Sequence, residues 1–400
     1  MPVPVTIEYR RESRAGDGFN ALYGAILLLT LHWAVVLYVN SSYLEQFVSP
    51  HTVSVLYILG AAITILAFLY ASSLLSHFGN IKTGAALTII EFGALIGMAF
   101  TSNMYAAMLF FVVHQAVVPM ILFTLDVLME EFIGDGEGTT GAKRGTLLTI
   151  MSITYALAAL TMGKLVGAGT PDFGLVYLAS AIMLVPFFYM LVTKFKSFVD
   201  PSYPHLQIFE GVSNFWKLRD VRNVFLAHFL LQLFFTWMVI YTPIYLANVI
   251  GFNWEQIGII LFAGLMAYVF LEYLIGVVAD KLIGEKEMMA FGFAVIAIAT
   301  SWFVFLDNSS IIAWMIAMFM TRVGASLVET TTESYFFKHT SSKDTNVIGL
   351  FRITRPLSYI FGALLGSLTL YVFNFHFVFI ILGLLMIPGL FFAMALKDTR

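Results

Sequence analysis

Hydrogen-bonding and ionisable side chains interrupt long apolar runs at a small number of places in this chain, and their types suggest a chemistry. His32, the pair His114 and Gln115, Gln232 and Arg322 fall near the middle of four separate runs. An ionisable group in hydrocarbon costs about 3 kcal/mol or more, so each needs a physical reason. Together these side chains could ring a polar or anionic solute. Arg322 would be the counter-charge, because a guanidinium keeps its charge and offers a forked set of donors. For the His and Gln residues the competing explanation is packing, in which they satisfy backbone groups or one another between helices.

A second set lies towards the ends of the runs. Asp126 and Glu130 are four apart, and so are Glu329 and Glu333. Residues four apart share a helix face. Arg352 and Arg355 are three apart, and Lys143 and Arg144 precede another run. Ion pairs among these groups would join helices and close one side of the molecule; the alternative is anchoring at the interface, where charge costs little. Glu272 lies about two turns before Asp280. It suits proton coupling, or equally a pairing with Arg352 or Arg355. Lys164 reads as a side chain that reaches the interface. Glu91 has no evident role.

The elements that position these groups are membrane helices. The chain of 400 residues is 60% hydrophobic and 11% charged, with mean hydropathy +0.89. Soluble domains average about 45–50% apolar and about 25% charged. Continuous apolar runs occur near 19–39, 52–75, 83–101, 105–128, 146–168, 174–193, 223–246, 256–279, 288–306, 311–335, 347–372 and 377–396. Each is long enough to span, and none alternates as a membrane barrel requires. The first follows Arg10, Arg11 and Arg14 and is too long for a secretory signal core. With both termini cytoplasmic, the inner segments hold 17 of the 21 Lys and Arg residues, and the outer loops carry Glu45, Asp172, Glu255 and Asp307 instead. That asymmetry fixes the expected orientation.

Several classes are excluded. There is no cysteine, hence no disulfide or thiolate metal site. Dispersed basic residues and a net charge of −3 give no nucleic-acid footprint. No P-loop motif is present. The acidic loop at 134–138 lacks the ligand spacing of a calcium loop, and the short outer loops hold no catalytic cluster. No cofactor or metal is expected.

The longest polar stretch, 194–222, divides the runs six and six. It separates an N-terminal lobe (1–193) from a C-terminal lobe (223–400), with itself as a cytoplasmic linker. A shift of about 204 residues aligns the halves. Trp33 falls on Trp237, Gly60 on Gly264, Gly145 on Gly349 and, after one inserted residue, Gly79 on Gly284. Glu130 falls on Glu333 at a shift of 203. Parallel six-helix repeats are a transporter architecture.

Between runs 8 and 9 the chain reads GVVADKLIGEK, with Gly276, Asp280, Lys281, Gly284 and Lys286. This resembles the major facilitator superfamily, whose mark is G-x-x-x-D-[RK]-x-G-x-[RK] in the 2–3 loop and, more weakly, the 8–9 loop. Here the better copy is the second. In the first half Ser76 stands where the Asp belongs, and only Gly79 and Lys82 match. The resemblance implies an all-α membrane fold of twelve helices in two lobes. Helices 1, 4, 7 and 10, which carry His32, His114, Gln115, Gln232 and Arg322, would line the cavity, and helices 3, 6, 9 and 12 would lie outside. It also implies that the acidic pairs, the arginines and Asp280 act as a gate. The expected function is secondary transport of a small organic solute, proton-coupled, by a monomer in a plasma or inner membrane. A membrane-embedded enzyme or a non-transporting receptor or scaffold on the same fold is the alternative.

Overall fold

In hydrocarbon a backbone can satisfy its own polar groups only as a helix or a closed barrel, and continuous apolar runs favour the helix. The computed structural model describes all residues except 1–4, 134–139, 202, 204–218, 280–282, 308–309, 340–344 and 398–400. Its twelve long helices are α1 (Val5–Leu37), α2 (Pro50–Phe78), α3 (Asn80–Phe100), α4 (Met104–Ile133), α5 (Thr140–Val166), α6 (Phe173–Lys194), α7 (Arg219–Ile244), α8 (Trp254–Val278), α9 (Glu285–Ser301), α10 (Ile311–His339), α11 (Thr345–Val372) and α12 (Val378–Met394). Among the described residues, eleven of them are apolar enough to cross a membrane; α11, with Arg352 and Arg355, is the exception.

Local chemistry sets the helix ends. Ser49 accepts from the Thr52 N–H ahead of Pro50, and Asp172 accepts from the Gly174 N–H. Asn253 and Gln256 form a reciprocal capping box at α8. A six-residue helix, Asn40–Glu45, follows α1, and one π-helical stretch, Tyr245–Ile250, continues α7.

The sequence repeat is visible in the backbone. Gly79 opens α3 at φ 84°, ψ 155°, and Gly284 opens α9 at φ 95°, ψ 156°. Such positive φ is accessible to glycine at little cost. Gly60 of α2 lets Gln115 of α4 approach, and Gly264 of α8 does the same for Met318 of α10. The packing repeats likewise: α3 lies on α4 and α6 as α9 lies on α10 and α12. Among the described residues the lobes are joined by α2 with α11 and α5 with α8, and by the helix Asn40–Glu45 with α7.

The lobes meet closely at the end carrying the short loops after α1, α3 and α5, here the loop end. A Cβ on Gly163 of α5 would lie 3.0 Å from Gly258 Cα on α8, so these backbones touch. Nearby, Phe173 packs edge-on to Trp254, and Ser54 hydrogen-bonds Tyr241 at 3.1 Å. His51 meets Ser367 at 2.8 Å, and Asn248 donates to Glu45 at 3.2 Å.

At the opposite, linker end, a carboxylate appears where the motif in the first half lacks one. Asp200 of the linker accepts from the Asn80 N–H at 2.7 Å and from the Tyr203 hydroxyl at 2.6 Å. It meets the positive end of α3, while Ser76 merely bonds back to the Ser73 carbonyl.

Two outcomes are expected. Asp200→Ala removes a charged cap and lowers stability by about 1 kcal/mol in thermal unfolding. Burial pushes Glu45 from 4.5 up to about 7, against the donation from Asn248. Between those values the closed chain holds a proton that the unfolded chain releases, so stability falls as pH rises across that window and levels off above it. Glu45→Gln should flatten that part of the melting-temperature profile.

Candidate substrate cavity

Closure at the loop end leaves a cavity of about 440 Å³ between the lobes, extending towards the linker end. Helices α1, α4, α7 and α10 line it, as do α2, α5 and α11. Tyr359 of its lining stacks on Tyr57, with ring centroids 5.7 Å apart and planes at 12°.

The polar wall is built from both lobes. His114, Gln115 and Asp126 come from α4, the first two before Pro119 and Asp126 about two turns after it. Gln232 and His228 come from α7, and Glu329 and Glu333 from α10. Arg355 projects from α11 and lies 4.5 Å over the Trp33 ring, a cation–π contact between the lobes. Trp33, Phe68, Phe123, Phe351 and Tyr359 supply apolar faces.

Of the expected ring, His114, Gln115 and Gln232 reach the cavity. His32 and Arg322 do not. His32 is fully buried among α1, α3 and α6, with Ser180 Oγ at 2.7 Å from Nδ1. Arg322 is 2% exposed and stands behind the wall, 5.3 Å over Phe234, with Nη1 unbonded among the described residues. Depth in the membrane could be read from the sequence, but the rotation of each helix about its axis could not.

Of the charged set, Asp126, Glu329, Glu333 and Arg355 line the cavity. Glu329 lies within electrostatic reach of Glu333, Glu272, Arg355 and Arg322. Glu272 accepts from Ser152 Oγ of the other lobe at 3.1 Å. The side chains of Glu130 and Arg352, and all of Asp280 and Lys281, lie outside the described residues. Of the motif, Gly276 has open space around its Cα and Gly284 makes the turn described above. Lys164 is exposed, as an interfacial side chain should be. Glu91 departs from expectation: it is fully buried, because α3 turns this residue inward against His114.

His228 was missed. It stacks on Phe351 at 4.1 Å, and its Nδ1 lies 3.2 Å from Thr332 Oγ1. That hydroxyl gives its own hydrogen to the Glu329 carbonyl, so the imidazole donates from Nδ1 and can accept from Gln232 Nε2 at 3.2 Å. Its place four residues before Gln232 was the available signal.

The described wall thus sets three carboxylates against one guanidinium. This arrangement suits a polar or amphipathic solute with hydrogen-bonding groups and an apolar face better than a simple anion. At pH 8, Glu329→Gln should raise the melting temperature by relieving crowded buried charge, and Arg355→Ala should lower it by leaving the carboxylates uncompensated.

Residues 224–400 match the family model described as Major Facilitator Superfamily. No curated protein sequence matches the chain. Among solved structures, a point mutant of the nucleoside transporter NupG is similar, with TM-score 0.71 and 13% identity over 94% of this chain and 99% of that one. NupG without that mutation gives TM-score 0.71 and 12% identity over 95% of this chain and 98% of that one. At such identity the likeness is one of fold.

Proposed function

We propose that this chain belongs to the Major Facilitator Superfamily and is a secondary active transporter that moves a small polar or amphipathic organic solute by alternating access, coupled to protons. The observation that carries the reading is the cavity itself: polar groups from both lobes face one space closed at a single end. Relative rotation of the lobes would close the linker end and open the other.

In this reading residues 1–193 and 223–400 rock about the cavity, with 194–222 as the cytoplasmic linker. The chain is a multi-pass integral membrane protein; both termini are placed in the cytoplasm by the Lys and Arg distribution, in a plasma or inner membrane. His114, Gln115, Gln232 and Arg355 contact the solute. Arg322 balances Glu329 from behind. Asp126, Glu329, Glu333 and Arg355 form the gating set, which Glu130, Arg352, Asp280 and Lys281 extend. The protein works as a monomer. NupG is a nucleoside transporter, and a nucleoside is a neutral solute with a stackable ring and hydroxyls, so nucleosides form one arm of the test.

That test is a thermal-shift screen of the purified chain against nucleosides, organic cations, organic anions and neutral drugs at pH 5.5 and 7.5. A binding solute stabilises the folded protein by mass action. The expected outcome is one coherent class of neutral or cationic hits, with affinity at least tenfold weaker in Gln232→Leu, about 1.4 kcal/mol. Binding confined to organic anions, and lost in Arg322→Ala alone, would refute this assignment of the wall.

A further inference from the structure

Behind the cavity wall, three ionisable residues from three helices meet in the first lobe. His114 Nδ1 lies 2.5 Å from Glu91 Oε1, and His32 Nε2 lies 3.5 Å from the same oxygen. Glu91 and His32 are 0% exposed and His114 1%. Among the described residues no lysine or arginine pairs with Glu91. A carboxylate in such a place carries a large desolvation cost unless its charge is balanced.

The hydrogen bonds fix where the protons are. Tyr177 donates to Asn40 Oδ1 at 2.8 Å, so Asn40 turns its amide Nδ2 to His114 Nε2 at 3.4 Å. Nε2 therefore accepts, and the His114 proton sits on Nδ1, directed at Glu91. Ser180 gives its hydrogen to the His32 carbonyl at 2.9 Å, so its oxygen accepts from His32 Nδ1–H. That leaves His32 Nε2 as a lone pair facing a carboxylate. Among the described residues neither His32 Nε2 nor Glu91 Oε2 has a hydrogen-bond partner. The cluster is one proton short. Among the described residues two tyrosines lie nearby: Tyr177, which donates to Asn40, and Tyr43, which donates to the Met98 carbonyl and packs on Tyr177.

We propose that Glu91, His114 and His32 form a buried proton-binding site, loaded from the cavity through His114, whose occupancy biases the closure of the loop end. An incoming proton adds to His114 Nε2, and the Nδ1 proton passes to Glu91, leaving the imidazole neutral in its other tautomer. That proton stays shared between Glu91 Oε1 and His114 Nδ1 across their short contact, and the neutralised Glu91 no longer presents a charge to the His32 Nε2 lone pair. Protonated His114 Nε2 now points a donor at the amide donor of Asn40, which must turn away. Asn40 begins the short helix that ends in Glu45, whose carboxylate holds Asn248 of the other lobe. Proton arrival is thereby transmitted to the contact between lobes. The inference deepens the transport reading and rests on its alternating lobes.

The test needs no solute. The natural chain has no cysteine, so Ser102→Cys and Glu255→Cys give one spin-label pair spanning the loop end. A Glu45→Gln background removes that group's own titration. Distances are measured in lipid nanodiscs at pH 5 and pH 8. The expected result is at least a threefold change in the ratio of closed to open populations between the two pH values. Glu91→Gln should abolish that change, and His32→Gln should abolish it too, should the first variant not fold. A pH response unchanged in either folded variant, or absent from the parent, overturns the proposal. Solute accumulation driven by a proton gradient in Glu91→Gln as in the parent would also overturn it, while leaving transport intact. Failure of any solute to move, with the Glu91-dependent distance change present, would remove only the transport reading.

Discussion

Gly163 and Gly258 bring two helix backbones into direct contact across the lobes, and no side chain larger than hydrogen fits between them. Lipid tails are as apolar as leucine, so helices in a membrane gain little by hiding apolar surface from them and associate by close packing and hydrogen bonds. The α5–α8 contact provides such packing, and Ser54, Tyr241, His51 and Ser367 add the hydrogen bonds around it. The cavity lies between the lobes beyond this seam, and the polar groups on α4, α7, α10 and α11 face it.

The two lobes handle ionisable groups differently. The second gathers Glu272, Glu329 and Glu333 on α8 and α10, with Arg322 behind and Arg355 on α11. The first encloses one carboxylate with two imidazoles and surrounds them with hydroxyl and amide groups whose donors are already committed. At the shift that aligns the halves, His32 falls on Thr236 and His114 on Met318. The proton cluster therefore has no counterpart in the repeat. Architecture is duplicated and chemistry is not, which is consistent with a family match that lies in the second half alone.

Much of this frame was legible before any coordinates. Glycine spacing announced the repeat, because Gly79 and Gly284 occupy backbone angles that other residues reach only with strain. Run length and charge sorting gave the helices. What stayed hidden was rotation about each helix axis. Glu91 and Arg322 sit at depths that could be counted, but whether a side chain looks into a cavity, a neighbouring helix or lipid depends on packing between distant segments. Asp200 illustrates a different limit. The turn before α3 lacked its expected acid at Ser76, and the linker, more than a hundred residues onward, supplies one. A local motif search cannot see a replacement that arrives through space.

The imbalance of charge on the cavity wall has a consequence for what occupies it between solutes. Among the described residues, three carboxylates and one guanidinium in a recess with low-dielectric walls focus a negative potential. Small mobile cations from the surrounding solution collect in such a recess. In the proposed transport cycle an arriving solute would exchange with such ions, and its apparent affinity would be the difference between two occupancies. Ionic strength enters twice, by screening the attraction over about 8 Å at physiological salt and by setting how many competitors must leave.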